Sequence, residues 1–232
     1  MVVETVASGV YQIGPRFVNS FIIDGDEGVT LVDTLLPKKV DLITAGLNKI
    51  GRSLEDVGAI LITHSHADHS GGASAVKAHS NARLYATKAD APAIQGVQKP
   101  PASPTPFYVK PLAWLMAAMP GPLPTDVDHF VSETSGDLLP GDLRAINTPG
   151  HTPGHTSYLL DRDGGVLFVG DAARATKRGE LIRGYFNRST PLIDGSLRHL
   201  AELDFETATF GHSDPLTSQA SSAFRRFAKS LS

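Results

Sequence analysis

The sequence predicts an α/β domain, on three observations. Short apolar runs suited to strands alternate with amphipathic stretches suited to helices between Val10 and Ile94. Ala59-Ile60-Leu61-Ile62 is apolar throughout rather than alternating, the mark of a strand covered on both faces. Two patterns also recur. Gly28-Val-Thr-Leu-Val-Asp33 is echoed by Gly165-Val-Leu-Phe-Val-Gly-Asp171, and Ile60-Leu-Ile-Thr-His64 by Ala208-Thr-Phe-Gly-His212. In each, an apolar strand ends in a ligand-type residue. A single domain of two similar halves, with a site between the strand ends, would produce this.

In chain order, Val10 to Ile13 and Ser20 to Ile23 are short strands around the turn residues Gly14-Pro15-Arg16, predicting a hairpin. Val29 to Val32 is a strand ending at Asp33, which is either a site residue at the sheet edge or a cap. Pro37 to Ile50 is a helix with Val40, Ile43, Leu47 and Ile50 on one face, ended by Gly51. Ser53 to Asp56 is a capping turn. Gly71 and Gly72 allow a tight turn before a helix from Ala73 to Ala78. Leu84 to Ala86 is a strand and Lys88 to Ile94 a helix. Strands follow at Leu143 to Ile146, Ser157 to Leu160, Val166 to Val169 and Thr207 to Phe210, with a helix at Asp194 to Leu203. A last helix carries Ala220, Phe224, Phe227 and Leu231 on one face.

The stretch from Lys99 to Pro124 differs: eight prolines surround Phe107, Tyr108, Leu112, Trp114, Leu115, Met116 and Met119. It reads as a Pro-rich insertion at about 99–124 in one domain spanning 1–232. A lid or substrate wall, a homodimer contact and plain packing all remain open for it.

Composition narrows the function. The chain has 232 residues, 41% hydrophobic and 19% charged, so it can bury a real core. A net charge of −3 without a basic run argues against nucleic acid as partner. With no cysteine, disulfides, thiolate ligands and a Cys nucleophile are excluded. No window approaches the roughly 18 apolar residues of a membrane span, and Met1 to Ser20 lacks a signal-peptide pattern. The expectation is a cytoplasmic protein acting on a small molecule, away from membranes.

The chemistry concentrates in Thr63 to Gly72, Thr-His-Ser-His-Ala-Asp-His-Ser-Gly-Gly, where three histidines and an aspartate fall between His64 and His69. Imidazole nitrogens and carboxylate oxygens are the usual donors to zinc and its first-row neighbours. Further ligand-type residues follow strands or sit in Gly-rich loops: His151, Asp171 and His212. One zinc takes about four donors, so His64, His66, Asp68, His69, His151, Asp171 and His212 suit two ions better than one. His64 and His66, two apart on extended chain, point the same way. Asp68 and His69, at the start of the next helix, are placed to reach a second ion.

His64-Ser-His66-Ala-Asp68-His69 resembles the His-x-His-x-Asp-His signature of the metallo-β-lactamase superfamily. Thr148-Pro-Gly-His151-Thr-Pro-Gly-His155, Gly170-Asp171 and Gly211-His212 resemble its later motifs, in the same order. The resemblance implies a four-layer αβ/βα sandwich, two mixed sheets with helices outside. It implies that His64, His66 and His151 hold one ion, that Asp68, His69 and His212 hold the other, and that Asp171 bridges them. It gives His155 no ligand role and makes Asp33 a supporting aspartate near the first histidine pair. His79, His129 and His199 match no motif. The implied cofactors are two divalent ions, zinc foremost, with iron or manganese as alternatives.

The resulting expectation is a hydrolase that attacks an ester, lactone or thioester carbonyl with a metal-bridging hydroxide, Asp68 orienting it and passing on a proton. Lack of Cys together with Asp171 points to the glyoxalase II-like and lactonase-like branch, with β-lactamase activity at most weak. Homoserine lactonases of the family place a Tyr three residues after the bridging aspartate, where this chain has Arg174. Arg174, Arg183, Tyr185 and Asn187 are candidates to face the groove, and Phe107 to Met119 would suit an acyl chain. The alternatives are a phosphodiesterase or nuclease on the same fold and an iron-containing redox or persulfide-handling member.

Overall fold

Alternate residues of single strands feed different layers, and this arrangement generates the architecture. The structure, a computed structural model, describes residues 2–15, 17–100, 122–134 and 139–231. Phe107 to Met119 and most of the Pro-rich stretch lie outside the described residues, so the readings of that segment do too.

The first sheet runs β1 (Val2–Ala7), β2 (Val10–Gly14), β3 (Ser20–Gly25), β4 (Gly28–Val32), β5 (Val57–Leu61), β6 (Arg83–Thr87) and β7 (His129–Val131), in that order across the sheet. β1 to β4 pair antiparallel, and β4 to β7 pair parallel. The second sheet is built from β8 (Leu143–Asn147), β9 (Thr156–Leu160), β10 (Val166–Phe168), β13 (Thr207–Phe210) and β14 (Ser213–Leu216), in the order β14-β13-β10-β9-β8. Here β10 and β13 are parallel and the other pairs antiparallel. A small hairpin, β11 (Ala173–Ala175) with β12 (Leu181–Arg183), leaves the end of β10.

Phe21, Ile23, Val32 and Leu61 of the first sheet meet Ala145, Tyr158, Leu160 and Phe168 of the second in a core between the sheets. The Phe21 and Phe168 rings sit 5.4 Å apart there. The intervening residues face outward. Ile22, Leu31 and Ile60 pack with Ile43 and Leu47 of α1 (Val40–Lys49) and Val76 of α3 (Ala73–Lys77). Leu159, Leu167 and Phe210 pack with Ile193 and Leu197 of α5 (Thr190–Leu200) and Phe224 of α6 (Ala220–Ser230). Helix, sheet, sheet and helix are therefore four layers, and strands covered on both faces need the continuous apolar runs seen in the sequence. Each such side chain, fully buried, contributes about 1.5–3 kcal/mol. The phenol of Tyr158 crosses between the sheets to donate to the Ile62 carbonyl at 2.9 Å, so this buried hydroxyl is satisfied.

Several boundaries differ from the sequence reading. The first helix starts at Val40 rather than Pro37, because Lys38 has a left-handed φ of 65°. α5 starts at Thr190 rather than Asp194. Ser189 accepts from the Leu192 N–H and Pro191 fills the first turn, a start signal placed before the apolar periodicity begins. It also ends at Leu200 rather than Leu203. Gly71 and Gly72 both have right-handed φ, so they serve close approach and not a tight turn: a Cβ on Gly71 would strike the Ala67 carbonyl and Pro37, and one on Gly72 the Thr34 carbonyl. The sequence reading did not find β1, β7, β11, β12 or β14.

The two sequence echoes correspond to equivalent places. β4 and β5 are parallel neighbours in one sheet, and β10 and β13 in the other. Asp33 and Asp171 follow the first strand of each pair, and His64 and His212 follow the second. Asp33 and Gly170 share a φ of 60°.

Arg183 ties β12 to α5, its Nη2 donating to Asp194 Oδ2 at 2.9 Å. These hydrogen bonds hold the Asp194 carboxyl below its usual value. The resulting stability is present above the unfolded aspartate value of about 3.9 and is lost as pH falls through the lower folded value. Because the guanidinium is half-exposed, Arg183→Met should cost only about 1 kcal/mol at pH 7. Urea denaturation should show that difference shrinking as pH falls from about 5 to 3.

Candidate metal centre

β5 delivers the chain into Thr63-His64-Ser65-His66, and α2 (Ala67–Ser70) then carries Asp68 and His69. His151 comes from the loop between β8 and β9, Asp171 from the end of β10 and His212 from the end of β13. All seven predicted ligand residues converge in overlapping groups: His64, His66 and His151; His64, His69 and Asp171; Asp68, His69 and His212.

Hydrogen bonding sets which nitrogen each imidazole presents. Thr63 Oγ1 lies 2.8 Å from Asp33 Oδ2, which can only accept, so the hydroxyl proton goes there. The same oxygen, 3.1 Å from His64 Nδ1, must then accept from His64. His69 Nδ1 donates to Asp33 Oδ2 at 2.7 Å, and His212 Nδ1 to the Phe17 carbonyl at 2.6 Å. His64, His69 and His212 are thus anchored through Nδ1 and turn Nε2 inward, whereas His66 presents Nδ1 to its neighbours.

The inward atoms are close. His66 Nδ1 is 3.1 Å from His64 Nε2 and 3.0 Å from His151 Nε2. His69 Nε2 is 3.3 Å from His212 Nε2, and Asp68 Oδ2 is 3.5 Å from His212 Nε2. Lone pairs facing at such distances repel unless a cation or proton lies between them. A tetrahedral ion with bonds of about 2.0–2.1 Å has donor–donor edges of about 3.3–3.4 Å, close to these values. Asp171 reaches both sets: Oδ2 lies 3.5 Å from His151 Nε2 and 3.2 Å from His212 Nε2, and Oδ1 lies 3.5 Å from His69 Nε2. Oδ1 is buried without a hydrogen-bond donor. A buried carboxylate oxygen with no hydrogen-bond donor, set among imidazole nitrogens, suits a metal ion.

The two sets differ electrostatically. Burial keeps His64 neutral and pushes His151 down to about 4 against the pull of Asp171. Burial acts the same way on His69, but the charges of Asp171, Asp33 and Asp68 outweigh it and raise His69 to about 10. His212 is raised as well, with burial opposing and Asp171 prevailing. Asp171 stays well below the usual carboxylate range because the charges of His212 and His69 overcome its burial. Protons therefore sit in the second set where a cation would take their place.

Asp33 lies near the first histidine pair, reaching His64 through Thr63, and it also supports His69 directly. Asp33→Asn should lower metal affinity about 10- to 100-fold, measured by chelator competition, since an amide cannot enforce the Nδ1–H form as a carboxylate does. His155 is fully buried but turned away: Asp171 N–H donates to its Nε2 at 3.0 Å, so its proton is on Nδ1, toward Thr148. Burial, with the nearby His151 charge, pushes it down to about 3, which keeps Nε2 an acceptor for Asp171. His79 bonds the Ala75 carbonyl, His129 stacks on Tyr85, and His199 pairs with Glu133 at 2.7 Å.

Asp90 escaped the sequence reading. It is 1% exposed and accepts from Ser65 N–H at 2.8 Å, Thr152 Oγ1 at 2.8 Å and Gly154 N–H at 2.9 Å. One carboxylate thus clamps the His64–His66 segment to the His151 loop. Its position before α4 (Ala91–Ile94) looks like a helix cap, yet its carboxylate makes no bond to that helix. Of the four groove candidates, Arg183 is bonded to Asp194, and Asn187 Nδ2 donates to the Gly184 carbonyl. Arg174 and Tyr185 stack beside Asp171 and His212. A cavity of about 430 Å³, lined by residues such as Glu4, Gln12 and Lys177, has none of the clustered histidines in its lining.

A four-layer sandwich carrying a His/Asp cluster at its strand ends defines a class of metal-dependent hydrolases. Residues 13–212 match the model of the metallo-beta-lactamase superfamily, and the chain belongs to that superfamily. It is 27% identical over 230 residues to the probable metallo-hydrolase YflN of Bacillus subtilis (strain 168), covering 91% of this chain and 86% of that protein. It is 30% identical over 155 residues to a hydroxyacylglutathione hydrolase of Shewanella baltica (strain OS155 / ATCC BAA-1091), covering 66% of this chain. That match spans 46% of the Shewanella protein, so the chain covers about half the length of this relative. BJP-1, a subclass B3 metallo-beta-lactamase of Bradyrhizobium japonicum, has the same fold at a TM-score of 0.73 and 22% identity, over 99% of this chain and 90% of that one. No helix among the described residues is long and apolar enough to cross a membrane.

Proposed function

We propose that the chain is a dinuclear hydrolase of the glyoxalase II-like and lactonase-like branch, cleaving an ester, lactone or thioester. The observation that carries this is Asp171, whose two oxygens reach into both donor sets while Oδ1 lacks any other partner. His64, His66 and His151 would hold one ion, Asp68, His69 and His212 the other, with Asp171 shared. Zinc is the ion proposed, because the donors are imidazole and carboxylate alone and their spacing suits tetrahedral geometry. When bound, a pair of such ions supplies an acidified water and polarises the target carbonyl.

The chain's own residues prepare that chemistry. Asp33 and Thr63 fix the histidine tautomers, Asp90 joins the two ligand loops, and His155 holds the Asp171 backbone in place. Asp68 is more open than the other acids at the centre, its side chain 28% exposed against 9% for Asp171. It is the residue placed to orient a water and hand a proton to the leaving group. The absence of cysteine together with Asp171 supports the choice of branch, and the relatives named hydroxyacylglutathione hydrolase support the superfamily.

Metal-loaded protein assayed on lactones, esters, thioesters, β-lactams and phosphodiesters tests this reading. Chelator-sensitive turnover of the carbonyl esters, with little β-lactam cleavage, is expected. Turnover of phosphodiesters alone, or ester cleavage indifferent to chelator, would overturn it.

A further inference from the structure

We infer that the cavity lined by β1, β2 and β14 is a second binding site, which takes a small zwitterion of the amino-acid type, with an ammonium group and a carboxylate. The site stands apart from the hydrolase reading and does not depend on it. Its volume is about 430 Å³, and Glu4, Gln12, Asn19, Lys177, Ser213 and Asp214 supply its polar walls. That is room for a metabolite-sized molecule.

Gln12 carries the inference. It lies two residues from Val10 and pairs across the sheet with Phe21 and Glu4. Val10 and Phe21 both enter the core between the sheets, so alternation along β2 puts the Gln12 side chain on that inner face. An apolar residue would be expected there. Gln12 is 6% exposed, and its Oε1 is buried without a hydrogen-bond partner. A buried acceptor with no donor costs free energy that an incoming N–H would recover. The facing wall is already held in place. Asn19 Nδ2 donates to the Phe210 and Ser213 carbonyls, at 2.9 Å each. Ser213 Oγ accepts from the Ala175 N–H at 2.9 Å, which leaves its own proton to donate.

Charge sets the class of ligand. Glu4, Asp214 and Lys177 come from β1, β14 and the turn between β11 and β12, and none makes an ion pair with a described residue. Glu4 stands opposite Gln12, so a cationic N–H donor bonded to Oε1 meets a carboxylate as well. Lys177 and the Ser213 hydroxyl suit an anionic oxygen. Two carboxylates count against a phosphate or a dicarboxylate, and the lysine counts against a bare metal ion or a polyamine. Among the described residues the lining holds no aromatic ring on which a base could stack.

Calorimetry and thermal unfolding of the metal-loaded protein test this, with the common α-amino acids offered singly as probes. At least one should bind and raise Tm by roughly 2 °C or more. Its N-acetyl derivative, which lacks the ammonium, and its decarboxylated amine should each bind roughly 10-fold or more weakly. Gln12→Met and Lys177→Met should weaken binding by a similar factor, whereas an amino acid held by metal ions would be indifferent to both. Without any amino acid, Gln12→Met should raise Tm, because it removes an unsatisfied buried amide. A Tm lowered by that substitution would make the amide structural and count against the site. No amino acid bound, or binding unchanged in both variants, overturns the site. Equal binding of the N-acetyl derivative overturns the zwitterion, and a calcium chloride response abolished by Gln12→Met overturns it in favour of a cation.

Discussion

Asp171→Asn is expected to lower ester turnover by about 1000-fold or more and to leave the protein unable to retain its full metal complement. The reason lies in what surrounds the carboxylate. His151, His212 and His69 each present Nε2 within 3.2–3.5 Å of one of its oxygens. An amide there carries no charge and turns an N–H toward at least one of them. It therefore removes the shared ligand and adds a donor that competes for a histidine lone pair. Metal analysis of the purified variant should show the loss together with the loss of rate. Full metal content with unchanged turnover would remove Asp171 from the centre.

Asp90→Ala should have the next largest effect, and it acts through folding before chemistry. Its carboxylate alone satisfies the Ser65 and Gly154 N–H groups and the Thr152 hydroxyl, all within a few residues of ligands. Truncation leaves these buried donors without an acceptor, a loss of about 3–5 kcal/mol. Denaturant unfolding of metal-free protein should show it, because the clamp exists without any ion. A metal-free stability within about 0.5 kcal/mol of the parent would mean that the loops are held by other contacts. Asp90→Asn keeps one acceptor oxygen and should lie between.

The parts of the fold legible in the sequence are those that repeat a physical pattern over enough residues. Ala59 to Ile62 is apolar throughout because Leu61 faces the other sheet while Ile60 and Ile62 face α1 and α3. β7, β11 and β12, with three residues each, are too short for periodicity to register. β14 contains Pro215, which the sheet tolerates because this strand lies at its edge. The clustered histidines and aspartates were legible because so dense a run of imidazole and carboxylate has few structural uses. Asp90 was not, since a lone aspartate before a short helix looks like a cap and its three partners lie 25 to 64 positions away. The partner of Asp33 was likewise set by the approach of His69, 36 residues on, through tertiary structure alone. The stacking of Tyr185 on Arg174 depends on a hairpin that periodicity could not reveal.

The central claim is that seven residues from five places in the chain form one centre for two ions. Titration of metal-stripped protein with zinc, followed by calorimetry and by metal analysis after gel filtration, tests it most directly. The account predicts close to two ions per chain, with fewer retained in Asp171→Asn. No tightly held ion, or a single ion whose retention is indifferent to both His66→Ala and His212→Ala, would contradict it.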